Sequence, residues 1–391
     1  MRLTKLRRTG AILAALALVL VACGDEEADA PDGGSDEGTE DTAEEGEEGA
    51  GGDEAGEGLV AEEGTLEGYD ALPFTDILPL EEQAIDEEVT IGFSQTGFNH
   101  PWRVAMLESV LAEADRHDNV RIITTDGDVD IQKQSNDIDD LLAQGVDAIV
   151  MSPVESDGLV PAADRVREAG IPLVVLDRDV FTEKDLFIGQ SNVTMAETVA
   201  QRMVDDLGGE GKILEITGLV GSSPAIDRTQ GMMNIIEEHP GIELITTGDG
   251  EWIREPAVDL MEDWLVRYEE IDAVFSHAEE SSWGAQLAIS RAGRCDEGIR
   301  HYTHDGSSAG FESVAEGQFA ADGNYSPFIG DIGVRAALML ILGQEIPDGQ
   351  SYDQPGAYLQ LPDLPVVEPE NAEEWIPKGW GDFEPQEDPC G

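Results

Sequence analysis

Four short polar segments of this sequence carry carboxylates, guanidinium groups and indole rings. They are 94–103 with Trp102 and Arg103, 177–179 with Asp177 and Arg178, 218–228 with Arg228, and 305–306 with Asp305. Carboxylates accept hydrogen bonds from pairs of hydroxyl groups, arginine donates a planar fork of hydrogen bonds, and an indole ring packs on the C–H face of a sugar. This set of side chains indicates a binding site for a neutral polyol.

Each of these segments follows a run of β-branched and apolar residues. Strands are expected at 89–95, 120–125, 148–152 and 172–176, alternating with helices at 101–117, 131–144 and 158–169. A second series has strands at 212–217, 243–247, 273–277 and 301–304, alternating with helices at 225–238, 255–268 and 281–292. Strands that are apolar almost throughout are typical of parallel sheets covered on both faces. The pattern predicts an α/β fold of two doubly wound parallel-sheet lobes joined by a hinge.

The two series also predict the lobe boundaries. We expect an N-terminal lobe of 88–191 and 325–345 and a C-terminal lobe of 192–324 and 346–391, with the first crossing at 185–192. Ligands of such sheets bind at the carboxyl ends of the strands. Since all four polar segments follow strands, they should meet in a cleft between the lobes.

Other motifs do not favour a metal, a cofactor or a phosphate. His301 and His304 are three apart on an expected strand, so their side chains point to opposite faces. The glycines of 218–221 are not followed by the Lys-Ser/Thr of a phosphate loop. Ser222 and Ser223 precede an expected helix and are interpreted as its N-terminal caps.

A hydrolase is the alternative from another class, because Asp177 and Asp305 offer two carboxylates for one cleft. A glycosidase needs an acid and a base about 5 to 9.5 Å apart. Neighbouring arginines are expected to keep both carboxyl groups ionised and hydrogen-bonded. This favours binding over proton transfer, and we expect no enzyme activity.

Several of these residues form longer motifs. They are Gly92-Phe93-Ser94-Gln95-Thr96-Gly97 with Trp102-Arg103, Ala143-Gln144-Gly145-Val146-Asp147-Ala148-Ile149, Leu176-Asp177-Arg178, Gly221 with Ala225-Ile226-Asp227-Arg228, and Asp305-Gly306. Through them the segment 89–364 resembles the periplasmic sugar-binding proteins of ABC transporters, in the type I group that binds ribose and galactose. Within that group these motifs are most similar to the galactofuranose-binding type.

The resemblance implies a role for each matched residue. Asp177 and Arg178 would bind sugar hydroxyls from the first lobe, and Arg228 and Asp305 from the second. Trp102 and Trp252 match positions at which the family places aromatic rings on the sugar. Arg103 matches the galactofuranose type rather than the ribose binders, which have an aromatic residue there. The resemblance therefore favours a larger furanose or a hexose over ribose.

Two positions depart from the family pattern. Relatives usually have Asn-Asp where this chain has Ala278-Glu279, so Glu279 is expected to reach the hydroxyl that the missing amide would bind. A late polar position of the family falls at Asn324 or at Tyr325, depending on where one gap is placed. Both departures affect the choice of sugar rather than the fold.

The resemblance also implies the partners. A monomeric protein would deliver its sugar to an ABC transporter permease, or, as the alternative, present a ligand to a membrane sensor. Regulators that share this fold add a DNA-binding head, whereas this chain has an acidic segment there. A net charge of −62, from 84 acidic against 22 basic residues, disfavours nucleic acid as a partner. The acidity also suits a salt-rich habitat.

The N-terminus resembles a bacterial lipoprotein signal peptide. Four basic residues within 1–8 precede an apolar run at 11–21, which ends in Leu20-Val21-Ala22-Cys23. The run is short for a membrane span. Residues 1–22 are therefore expected to be removed, and Cys23 to carry a lipid that anchors the protein on the outer side of the cell membrane. Residues 23–87 are expected to form an acidic, disordered tether.

Lipidation of Cys23 would leave Cys295 and Cys390 as the remaining thiols. In an exported protein they are expected either to form a disulfide or to stay as two free thiols. Neither has metal-ligand neighbours, so we expect no zinc site.

Overall fold

The computed structural model describes residues 72, 74, 76–80, 85, 87–347, 350–351, 354–381 and 386–391. The strands are β1 (Val89–Gln95), β2 (Val120–Asp126), β3 (Ala148–Met151), β4 (Leu173–Leu176), β5 (Leu186–Gly189), β6 (Gly211–Thr217), β7 (Ile242–Asp249), β8 (Ala273–Ser276), β9 (Arg300–His304), β10 (Ala321–Gly323), β11 (Gln350–Ser351) and β12 (Ala357–Gln360). The helices are α1 (Pro101–Ala114), α2 (Ile131–Gln144), α3 (Val160–Ala169), α4 (Asn192–Leu207), α5 (Ser223–Ile236), α6 (Arg254–Arg267), α7 (Glu279–Arg291), α8 (Ser308–Ala315), α9 (Gly330–Ile341) and α10 (Ala372–Trp375). Residues 1–22, Cys23 and most of 24–87 lie outside the described residues.

The first sheet has the order β11-β12-β5-β4-β3-β1-β2, and its strands are parallel except for β11, which pairs antiparallel with β12. Alternate residues of its central strands point to opposite faces. Val150 belongs to the core under α1 and α9, while its neighbour Ile149 belongs to the core under α2 and α3. Burial on both faces explains why these strands are apolar throughout. We call this sheet with its helices lobe 1.

The second sheet has the order β10-β9-β8-β6-β7 and is parallel. One face packs on α4 and α5 through Ile213 and Phe275, and the other on α6 and α7 through Leu214 and Val274. We call it lobe 2. Two doubly wound α/β lobes are the fold class that the sequence predicts, and the structure confirms it.

The chain crosses between the lobes three times: after β5, after β10 and after β12. The last crossing differs from the sequence expectation, which placed all of 346–391 in the C-terminal lobe. β12 pairs with β5 in the sheet of lobe 1, with Leu359 opposite Ile188, and only then does Val367 pair with Asp322 of lobe 2. A strand of four residues that is not part of the regular strand–helix alternation carries no local signal of the sheet it joins.

The C-terminal segment is held on lobe 2. Cys295, just after α7, and Cys390 form a disulfide with their Cα atoms 5.4 Å apart. The Ser290 hydroxyl also donates to the carbonyl of Pro389 at 2.8 Å. The end of the chain is therefore fixed on the outer side of α7.

Candidate functional site

A cavity of about 40 Å³ lies between the two lobes at the carboxyl ends of their strands. Eight of the ten proposed ligand-binding residues line it: Trp102, Arg103, Asp177, Arg178, Arg228, Trp252, Asp305 and Tyr325. Seven further residues complete the lining: Thr96, Asn99, His100, Val129, Pro224, Glu251 and Ile253. This small volume excludes an oligosaccharide.

Lobe 1 contributes a buried ion pair. The Nη1 atom of Arg103, on the first turn of α1, lies 2.8 Å from Oδ2 of Asp177 and 2.9 Å from the Ser152 hydroxyl. Asp177 follows β4 in a left-handed conformation with φ 62°, which is uncommon for a residue with a side chain. Backbone strain of this kind persists where surrounding contacts fix the geometry. The carboxylate and the guanidinium are thus fixed next to each other at the cavity wall.

Lobe 2 contributes a second pair. Arg228 on α5 donates from Nε to Oδ1 of Asn192 at 2.9 Å, and its Nη1 lies 3.3 Å from Oδ1 of Asp305 and also reaches the carbonyl of His277. Asp305 has φ 143°, again strained, and the indole N–H of Trp380 donates to its carbonyl at 2.9 Å. Burial raises the pKa of Asp305, and the neighbouring Arg228 opposes that rise.

The Trp252 ring lies against arginines of both lobes. Its centroid is 5.6 Å from the guanidinium carbon of Arg178 in lobe 1 and 5.2 Å from that of Arg228 in lobe 2. The Trp252 ring can occupy this position because Gly218 has no side chain. A Cβ at Gly218 would lie 2.1 Å from the ring. Cation–π contacts therefore join the lobes at the cavity.

Trp102 forms the other aromatic wall with Tyr325. The two rings stack with centroids 5.7 Å apart at 18°, and the Trp102 indole N–H donates to the Tyr325 carbonyl at 3.0 Å. Tyr325 follows β10, in the second crossing between the lobes. Of the two candidates for the late polar position, Asn324 and Tyr325, only Tyr325 lines the cavity.

Three nitrogen atoms of cavity residues are buried without a hydrogen-bond partner among the described residues. They are Nε2 of His100, Nε of Arg178 and Nε1 of Trp252. Nδ1 of His100 accepts the backbone N–H of Trp102 at 3.2 Å, which places the imidazole proton on Nε2. Burial lowers the pKa of His100 to about 3, so the ring is neutral at ordinary pH. Buried donors of this kind need an acceptor, which the oxygens of a polyol supply.

Glu279 does not line the cavity, which differs from its expected role. It begins α7, and its carboxylate accepts the backbone N–H of Ser307 at 2.8 Å and the Ser307 hydroxyl at 2.5 Å. Gly310 packs so closely on it that a Cβ there would lie 1.9 Å from Oε1. Burial raises the pKa of Glu279. The residue therefore supports the loop after β9, which carries Asp305, from behind.

Among the residues that sequence reasoning did not single out, His100 and Asn192 make hydrogen bonds that shape the site. His100 stands in the first polar segment, and its place just before Pro101 is the available signal, because it is the N-cap of α1. Asn192 orients Arg228 and begins α4 directly after the first crossing. No spacing in the sequence links Asn192 to Arg228.

No group of three or more His, Cys, Asp or Glu side chains suited to a metal ion occurs in the described part of the chain. Among the same residues, none of the helices combines the length and apolar character that crossing a membrane requires.

Comparison with known proteins gives the family. A family model described as a periplasmic binding protein domain matches residues 91–345. The ribose import binding protein of Bacillus subtilis is 29% identical over 66% of this chain and 84% of its own length. The galactofuranose-binding protein of Escherichia coli is 29% identical over 55% of this chain and 70% of its own length.

A solved structure agrees with these relatives. It is the fructose-binding periplasmic domain of a hybrid two-component system, 30% identical, with a TM-score of 0.67 over 73% of this chain and 93% of that one. The resemblance to type I sugar-binding proteins is thereby confirmed. The family consists of binding proteins and not of enzymes. The chain belongs to the periplasmic binding protein family.

Proposed function

We propose that this protein captures one monosaccharide, a furanose or a hexose, between its two lobes and delivers it to an ABC transporter permease. The observation that carries the proposal is the composition of the cavity: two carboxylates, Asp177 and Asp305, and three arginines line one small space between the lobes. Carboxylates accept hydrogen bonds and guanidinium groups donate them. A sugar hydroxyl, which both donates and accepts, therefore has partners of both kinds in this cavity. The names of the ribose and galactofuranose relatives point to the same class of ligand.

The mechanism is a hinged closure. Ligand contacts come from both lobes, so the closed arrangement binds the sugar more tightly than an open one, and this difference drives closure. The three crossings of the chain form the hinge. The closed protein, acting as a monomer, then presents its sugar to the permease.

The ten residues expected from the sequence divide into two groups under this proposal. The eight that line the cavity bind the sugar directly. Glu279 and Asn324 are buried beside the loop after β9 and act on the sugar only through it.

The test is a calorimetric screen of the full-length protein against D-galactose, L-arabinose, D-ribose, D-fructose and xylitol. A micromolar or tighter dissociation constant for at least one sugar, with one ligand per chain, is the expected result. Failure of every sugar and polyol to bind would overturn the proposal.

The second candidate is a receptor that presents a bound sugar to a membrane sensor. It is favoured by the likeness to the periplasmic domain of a two-component system. Deleting the gene and measuring both sugar uptake and sugar-dependent transcription separates the two. Loss of uptake supports transport, whereas normal uptake with loss of the transcriptional response supports the receptor.

Membrane attachment is the remaining part of the proposal. A lipid on Cys23 and the acidic segment 23–87 would keep the lobes at the outer face of the cell membrane after removal of 1–22. Cys23→Ser is expected to release the protein from the membrane fraction while the sugar affinity stays unchanged. A variant that remains in the membrane fraction would refute the anchor without affecting the binding site.

A further inference from the structure

Two serine hydroxyls at the start of α5 do not perform the capping role that the sequence indicates. Ser222 occupies the N-cap position without a side-chain capping bond, and its hydroxyl donates to the Leu219 carbonyl of its own loop at 2.7 Å. The Ser223 hydroxyl accepts the backbone N–H of Asp179 at 2.8 Å. Asp179 belongs to lobe 1 and Ser223 to lobe 2, so this bond joins the lobes.

A second bond between the lobes lies beside it. The backbone N–H of Ser156, after β3, donates to the carbonyl of Gly221 at 3.0 Å. Gly221 has φ 89°, and a Cβ there would approach the side chain of Glu155 to 3.0 Å. The positive φ favours glycine here, and any side chain would also require Glu155 to move aside. We call Ser156, Asp179, Gly221 and Ser223 the interlobe clasp.

The clasp adjoins the cavity but is not part of its lining. Asp179 directly follows Arg178, and Pro224 directly follows Ser223; both of these neighbours line the cavity. Lys184 holds the donor loop in place, since its Nζ lies 2.9 Å from Oδ1 of Asp179 and donates to the Val180 carbonyl at 2.8 Å. The position of Asp179 is therefore set within lobe 1, and its bond to Ser223 depends on how the lobes are placed.

Both partners of the bond are shielded from water. Asp179 is 4% exposed and Ser223 6% exposed. Separation of the lobes would break the bond and hydrate both groups, whereas their approach restores it. A hydrogen bond that forms only when the lobes are together shifts the equilibrium toward the closed arrangement.

We propose that Ser223 is a positioning residue that sets the affinity for ligand by holding the lobes closed, without touching the ligand. This inference rests on the proposed function, because it concerns the closure that accompanies sugar binding. The apparent dissociation constant equals the intrinsic one divided by the closed fraction of the protein. The clasp therefore strengthens binding of every ligand by the same factor, whereas a cavity residue affects different sugars differently.

The experiment compares three variants of the full-length protein by calorimetry against D-galactose, L-arabinose, D-ribose and D-fructose. Ser223→Ala removes the acceptor of the clasp. Ser222→Ala is the matched control, because it removes a neighbouring hydroxyl that bonds within lobe 2. Ser223→Thr keeps the hydroxyl and tests rescue.

Loss of one hydrogen bond predicts that Ser223→Ala raises the dissociation constant about 2- to 10-fold, by the same factor for every sugar that binds. Ser222→Ala and Ser223→Thr are expected to stay within about 2-fold of the parent protein. An unchanged dissociation constant in Ser223→Ala, or a change confined to one sugar, would overturn the inference. A uniform loss that Ser223→Thr does not rescue would also overturn it.

A measurement without ligand separates the clasp from the proposed function. Hydrogen exchange of the Ser156 and Asp179 amides is followed in the ligand-free protein by fragmentation mass spectrometry. Faster exchange at both amides in Ser223→Ala, and not in Ser222→Ala, supports the clasp even if no sugar binds. If no sugar binds and exchange at these amides is equal in all variants, both the clasp and the proposed function are wrong.

Discussion

Asp177→Asn is the substitution that tests the cavity most directly. It keeps the size of the side chain and removes its charge. Oδ2 of Asp177 lies 2.8 Å from the Arg103 guanidinium, so the amide oxygen of the variant is expected to turn toward Arg103. The amide NH₂ then faces the ligand, where the parent protein has an acceptor for sugar hydroxyls. The variant thus loses at least one charge-assisted hydrogen bond to the sugar.

The size of the effect follows from that lost bond. Hydrogen bonds to charged groups contribute about 1.5–3 kcal/mol each, which corresponds to roughly 10- to 150-fold in the dissociation constant. The ion pair with Arg103 is also weakened, and since both side chains are less than a tenth exposed, unfolding becomes easier by about 1–3 kcal/mol. A domain of ordinary stability, about 5–15 kcal/mol, remains folded after that loss.

The assay is calorimetric titration with the best sugar of the screen, with thermal unfolding measured in parallel. Asp185→Asn is the matched control, because Asp185 is an exposed carboxylate of the same lobe whose Oδ2 accepts the Leu173 N–H at 2.8 Å. It removes the same charge at a distance from the cavity. An Asp177→Asn protein that binds within 2-fold of the parent, or a control that loses as much, would refute the assignment of Asp177 to the sugar.

Three further predictions concern other parts of the molecule. Glu279→Gln is expected to change the sugar dissociation constant by less than about 3-fold and Asp305→Asn by more than about 10-fold, because only Asp305 lines the cavity; a tenfold loss in Glu279→Gln would make it a ligand residue. Burial lowers the pKa of His301 from 6.5, its ordinary value, to about 3. Between these two pH values the unfolded chain therefore binds more protons than the folded protein. The contribution of His301 to the free energy of unfolding is full above pH 6.5 and declines as the pH falls below it. Urea unfolding at pH 7.5 and 4.5 should therefore show about 3 kcal/mol less pH dependence in His301→Gln than in the parent, and an equal dependence would contradict this. Replacing Cys295 and Cys390 together by Ser should lower the free energy of unfolding by about 2–4 kcal/mol with no change in sugar affinity. Unaltered urea unfolding of this variant would show that the disulfide does not stabilise the fold.

The sequence predicted the bounds of secondary-structure elements best where the local pattern of apolar residues is strong. β1 and α2 begin and end at the residues expected, because a strand buried on both faces leaves a continuous apolar run and an amphipathic helix leaves a periodic pattern. α2 also has its signals in the chain: the Asp130 side chain caps it at Lys133, and Gly145 ends it with φ 75°. Six of the eight proposed ligand residues that line the cavity stand in the polar segments after strands, and the resemblance to the family added Trp252 and Tyr325.

The misassigned residues share a different cause. Glu279 has the chemistry of a ligand, but the direction of its side chain is set by its place at the first turn of α7, beside the loop that begins α8. β12 was assigned to the wrong lobe because strand pairing is a long-range contact. Ser223 looked like a helix cap because capping residues and hydrogen-bond acceptors for another lobe are the same residue types.

The sequence by itself determined the α/β class, the two series of strands and the kinds of groups that meet at their ends. These properties depend on hydrophobic periodicity and on side-chain chemistry, which are local. Only the tertiary structure decided which polar groups face the cavity, that Arg228 is oriented by Asn192, and that Ser223 reaches Asp179 across the lobes. Those contacts join residues 36 and 44 positions apart. The first depends on how α4 packs against α5 within lobe 2, and the second on how the two sheets lie against each other. Neither arrangement is contained in a local pattern of the sequence.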